Sequence, residues 1–133
     1  MTKPGWVIHS ALKVAELGFG AETTMLNLRH SIAELPSVPG WRGDFDMLLV
    51  IRDDSSLDSF TMESMKTHQA FMRTWNERYR KGHSPKTALV CASDLKRIIP
   101  ELWVAMTREN WKTRIRVFTH RDPALAWLCE ATA

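Results

Sequence analysis

Cysteine is scarce in this chain. There are two in 133 residues, Cys91 and Cys129, and neither sits in a CxxC pair. That excludes a disulfide framework and the common zinc spacings. Long apolar runs are missing too. Runs such as "MLLVI" at 47–51 fall far short of the ~20 residues that span a bilayer, so no stable membrane insertion is expected. The opening "MTKPGWVIHSALK" lacks the charged start, apolar run and small-residue cleavage site of a secretory signal. These absences lead us to expect a reduced, cytoplasmic protein. Neither a glycine-rich phosphate loop nor a nucleophile elbow occurs. Internal repeats, low-complexity stretches and long linkers are also lacking, so residues 1–133 read as a single domain. Excess charge is small, +3 overall. The one short basic run, "RYRKGH" at 78–83, suits the end of a helix, where cations complement the dipole. Nucleic acid is not an expected partner.

What is present is a regular alternation of patterns. Trp6-Val7-Ile8 and the stretch Val14 to Phe19 suit two extended segments, with Gly18 and Gly20 marking the end of the second. A short helix over 10–18 is the alternative. Met25, Leu28, Ile32 and Leu35 then share one helical face within 22–35, and Thr23 or Thr24 can cap it. Pro36 and Pro39-Gly40 open a loop carrying Trp41. "FDMLLVIRDD" reads as a strand covered on both faces. In 61–80, Met62, Met65, Met72, Trp75 and Tyr79 make a helical stripe with His68 inside it. "KTALVCA" (86–92) is the next buried strand. Pro100 fits as the first residue of a helix through about Asn110, with Leu102, Val104, Ala105 and Met106 on its apolar side. Residues 113–119 alternate as an edge strand, with Lys112, Arg114 and Arg116 on the wet side. Asp122 and Pro123 then open a closing helix over 122–131 that puts Trp127 and Leu128 on the core. The order predicts an α/β sandwich: a central mixed, mainly parallel sheet of about four to five strands with about four helices.

"KTALVCASDL", a helix, and then "RVFTHRDPALAWL" resemble the C-terminal half of SpoIIAA-like proteins. These are small bacterial domains related in fold to the STAS domains of anti-sigma-factor antagonists and to lipid-binding Sec14-type domains. An apolar strand leading into Ser93-Asp94-Leu95 carries the resemblance, together with Phe118 followed by Ala124 and Trp127-Leu128. Element order agrees over about residues 12–130, while close motif similarity covers the last third. The resemblance implies a fold rather than a chemistry. STAS antagonists carry a phosphorylated serine in an Asp-Ser-Ser-Gly-type turn before the helix that follows the middle strand. Here that region is "RDDSSLDSFTMESM" (52–65), with serines but no glycine. Ser55, Ser56, Ser59 and Thr61 are the candidate phospho-acceptors there, and a helix N-terminus favours phosphate. The competing reading is that Ser59 or Thr61 only caps the helix.

In open α/β sheets, ligands sit beyond the carboxyl ends of the strands. The candidate crevice residues are therefore Asp53, Asp54, Cys91, Ser93, Asp94 and His120. A Cys91 nucleophile with His120 as base and Asp53 or Asp54 orienting it would make an enzyme. Against that, Cys91 continues an apolar strand, Asp94 and Asp122 suit helix caps, and His120 occupies a turn. His68 lacks a second ligand at i+3 or i+4, where Phe71 and Met72 stand. It reads as a core histidine with one hydrogen-bond partner. No cofactor and no metal is called for. The leading expectation is a non-catalytic regulatory or protein-binding domain that forms a homo-oligomer and has a regulatory protein partner. Trp41, Trp103 and Trp111 near loops or helix ends would supply part-exposed aromatics. The second expectation, from the Sec14-type resemblance, is a carrier of an apolar ligand, with Met62, Met65, Met72, Trp75 and Met106 lining a cavity. The Cys/His enzyme is the third.

Overall fold

The N-terminal ambiguity resolves into a hairpin. β1 (Trp6–His9) and β2 (Val14–Phe19) pair antiparallel, and Lys13 closes the turn in a left-handed conformation with φ 55°. The computed structural model describes residues 5–21, 23–83, 85–108 and 114–130. Three more strands follow: β3 (Asp46–Ile51), β4 (Lys86–Cys91) and β5 (Arg114–Phe118). All five form one sheet in the order β1-β2-β3-β4-β5, with every pairing after the first parallel. Trp6, Leu17, Leu49, Leu89 and Val117 are successive partners across it, one apolar row on one face. The chain is thus an α/β sandwich built on a mixed, mostly parallel sheet.

Each parallel step is crossed by a helix: α1 (Met25–Glu34), α2 (Met62–Tyr79) and α3 (Ile98–Arg108). Three right-handed crossovers that each step one strand the same way leave their helices on one face. The larger core shows this, joining Leu28, Ile32, Met65, Met72, Trp75 and Trp103 to Ala15, Leu17, Met47, Leu49, Leu89 and Cys91 of the sheet. The alternate strand residues Val14, Leu48, Ala88 and Val90 face the other way. There they meet Ala124 and Leu128 of α4 (Arg121–Leu128). Both faces of β3 and β4 are therefore covered, which is why Met47 to Ile51 and Ala88 to Cys91 are apolar without alternation.

Local chemistry sets the helix ends. Thr24 caps α1, accepting from the Asn27 amide at 3.1 Å. Thr61 and Ser64 form a reciprocal capping box on α2, each hydroxyl accepting from the other residue's amide. Lys86 is 4% exposed. Its Nζ donates to the carbonyls of Trp127 at 2.8 Å and Glu130 at 3.1 Å, closing the C-terminal end of α4.

Several expectations need correction. Pro100 is not the first residue of α3: the helix begins at Ile98, and proline still fits because first-turn amides have no intrahelical acceptor. Asn110, Trp111, Lys112, Thr113 and Ala131 lie outside the described residues. Trp103 is buried rather than exposed, while Ala105, expected on the apolar side, faces solvent. Met62 is 48% exposed, since it opens α2 before the stripe reaches the sheet. His120, not Asp122, takes the N-cap position of α4. His68 is buried as expected, but its Nδ1 has no hydrogen-bond partner.

Candidate functional site

Parallel pairing sends the carboxyl ends of β3, β4 and β5 the same way, so the loops after them rise side by side. Between the loop over 52–60 and the turn over 92–97 lies a crevice of about 480 Å³. Asp54, Ser55, Ser56, Leu57 and Asp58 line one wall, and Leu95, Lys96 and Ile99 the other. Lys96 ties the two loops together by donating its Nζ to the carbonyl of Asp53.

Ser55 forms the fixed base of this site. It is fully buried, and its hydroxyl lies 3.1 Å from the carbonyl oxygens of both Phe19 and Gly20. The loop after β3 is thereby clasped to the end of β2. Ser56 next to it is exposed, and its hydroxyl accepts weakly from the Asp58 amide at 3.4 Å. Ser59 accepts from the Met25 amide at 3.1 Å, linking the start of α1 to the start of α2. Thr61 is the cap itself. Three of the four candidate hydroxyls thus have defined structural bonds, and Ser56 is the one most open to solvent at the crevice.

The charged groups are mostly paired. Asp54 accepts from Arg52 at 2.9 Å, and Asp94 from Arg97 at 2.7 Å. Arg97 also lies 3.7 Å from Glu101. Ser93 accepts from the Lys96 amide at 3.3 Å and holds the turn that leads into α3.

Cys91 and His120 are not assembled into this crevice. Cys91 packs in the larger core at 1% exposure, and its thiol is directed at the Ser93 carbonyl 3.7 Å away. Burial pushes the thiol pKa up, against the opposing pull of the Ser93 backbone and of Arg97. A thiol held protonated is a poor nucleophile. His120 is exposed at the start of α4, without a side-chain cap bond and not on the crevice walls. Met65, Met72 and Trp75 are core packing, and the described crevices are lined by other residues. Among the described residues, no group of three His, Cys, Asp or Glu side chains is placed to hold a metal ion. No described helix is long and apolar enough to cross a membrane.

The sequence reading missed the rim. Leu95 is 86% exposed and Ile98 67% exposed, beside the part-buried Leu57 and Ile99. The available signal was "SDLKRIIP", where apolar residues alternate with charges in a turn too short to have a buried face. No protein-family model, curated protein or solved structure matches this chain.

Proposed function

We propose that this chain is a non-catalytic protein-binding domain of the SpoIIAA-like, STAS-like type, which associates with a second copy through the apolar rim of its strand-end crevice. One observation carries the reading: Leu95 stands 86% exposed on the crevice wall, and Ile98, next in sequence to the wall residue Ile99, is 67% exposed. Large apolar side chains held this far into water are unfavourable unless something covers them. A twofold interface brings the same patch from both copies together, so Leu95 and Ile98 of one cover those of the other. The buried, protonated Cys91 and the remote, exposed His120 support a binding role over a catalytic one. The regulatory half of the reading falls on Ser56, the open hydroxyl beside that rim, where a phosphate would add charge to an apolar contact and oppose it.

Sedimentation equilibrium at micromolar concentration tests the reading. The wild type is expected to dimerise, and Leu95→Glu with Ile98→Glu to be monomeric with an unchanged circular dichroism spectrum. A monomeric wild type would overturn it. Replacing Ser56 by Asp should weaken the dimer, whereas Ser56→Ala should leave it intact.

A further inference from the structure

β5 ends the sheet. It pairs with β4 on one side, and among the described residues no strand lies on the other. Such an edge presents unpaired backbone donors and acceptors, a template for one more strand. Beside it runs a groove of about 320 Å³, with Val104, Ala105 and Glu101 of α3 on one wall and Ile115, Arg116 and Val117 of β5 on the other. The two faces of the edge differ. Ile115 and Val117 pack toward α3 and the larger core. Arg116 lies on the α4 face, its guanidinium 5.0 Å from the Phe118 ring centroid and 5.5 Å from that of Trp127. The rings hold this cation in place, yet no carboxylate among the described residues pairs with it. Arg114 occupies the same face one step away.

We propose that the β5 edge binds an extended acidic peptide segment of another protein as a sixth strand. Its apolar side chains would drop into the α3 groove, and a carboxylate at an alternate position would meet Arg116. Backbone pairing supplies contact and alternate side chains supply selectivity, the usual division in strand addition. The edge charges also weigh against a second copy as occupant. Antiparallel pairing of two β5 strands about a twofold axis at Ile115 or Arg116 sets Arg116 opposite Arg114 or Arg116 of the other chain, and like charges directly opposite destabilise a sheet. The rim of the strand-end crevice is a separate surface, so this inference stands or falls independently of self-association.

Fluorescence anisotropy with the full chain tests it. The probe is a labelled peptide of about seven residues, the length of a typical strand, alternating valine and glutamate. Comparison peptides carry lysine in place of glutamate, or the same composition scrambled out of phase. The alternating acidic peptide is expected to bind about tenfold or more tighter than either comparison, with affinity falling as salt rises. Arg116→Glu should reverse the preference toward the lysine peptide. Ala105→Trp, which fills the groove and leaves the charges alone, should weaken the alternating peptide. Absence of binding, equal binding of the scrambled peptide, or a preference that Arg116→Glu does not move would each overturn the proposal. Should Arg116→Glu fail to fold, Ala105→Trp and the phase comparison still decide.

Discussion

The His68 ring stands edge-on to the Trp103 indole, with centroids 5.1 Å apart and planes at 88°. Phe71 stacks on its other side at 6.1 Å. Burial lowers the imidazole pKa from 6.5 to about 3, and Arg29 adds to the shift. The unfolded chain therefore takes up the proton first, and stability falls as pH drops through 6.5 toward 3. The slope is about 1.4 kcal/mol per pH unit. Glu16, its pKa lowered by the Arg121 hydrogen bond, contributes stability that is lost only below its ordinary 4.5. Asp46, raised by burial from 3.8, acts with the opposite sign. Urea unfolding between pH 6.5 and 4.5 should therefore show the His68 slope in the wild type and lose it in His68→Leu. At neutral pH, His68→Leu should be at least as stable, because it removes a buried nitrogen without a partner.

Neighbouring serines should behave very differently. Ser55→Ala leaves the Phe19 and Gly20 carbonyls without their hydroxyl, at a cost of about 1–2 kcal/mol. Ser56→Ala, on the open side of the same loop, should change stability by less than about 0.5 kcal/mol. Denaturant midpoints of the two variants make the comparison, and equal midpoints would contradict the clasp.

How much of this was legible beforehand follows from the range of the interactions. β3 and β4 could be read because their apolar runs, Met47 to Ile51 and Ala88 to Cys91, are covered on both faces and leave a local trace. The capping box of α2 lies within three residues. Ser55, by contrast, owes its burial to carbonyls 36 and 35 residues earlier, and sequence spacing carries no trace of that. The exposure of Leu95 and Ile98 leaves little sequence trace either. An apolar residue reads as core unless its neighbours show that no core lies beneath it. Lys86 stands at a strand start, and its partners are backbone carbonyls more than 40 residues away.

Two glycines separate backbone approach from mere absence of a side chain. A Cβ on Gly43 would collide with the Tyr79 carbonyl oxygen, where the loop before β3 passes the end of α2. Gly43→Ala should cost at least about 2 kcal/mol, because the obstacle is backbone. Gly18 lies in β2, and a Cβ there would meet nothing within 4 Å. Gly18→Ala should stabilise by about 0.5–1 kcal/mol, since alanine loses less conformational freedom on folding. Thermal or urea unfolding should move in opposite directions for the two variants.

Lys86 joins the sheet to the only described helix on its second face. Its backbone amide donates to Asp46 at 2.7 Å, while its ammonium bonds the carbonyls of Trp127 in α4 and of Glu130 just past it, and lies 5.4 Å from the Trp127 ring centroid. A methionine of similar length would keep the stem but leave those carbonyls unpaired at the helix end. The loss of charge-assisted bonds in a buried setting is worth about 2 kcal/mol. The effect should be local first, because α4 follows the last strand and can detach without breaking the sheet. Lys86→Met should thus speed amide hydrogen exchange across Arg121–Leu128 well before it speeds exchange in β3. If both segments accelerate together, the lysine is bracing the whole sandwich rather than docking its final helix.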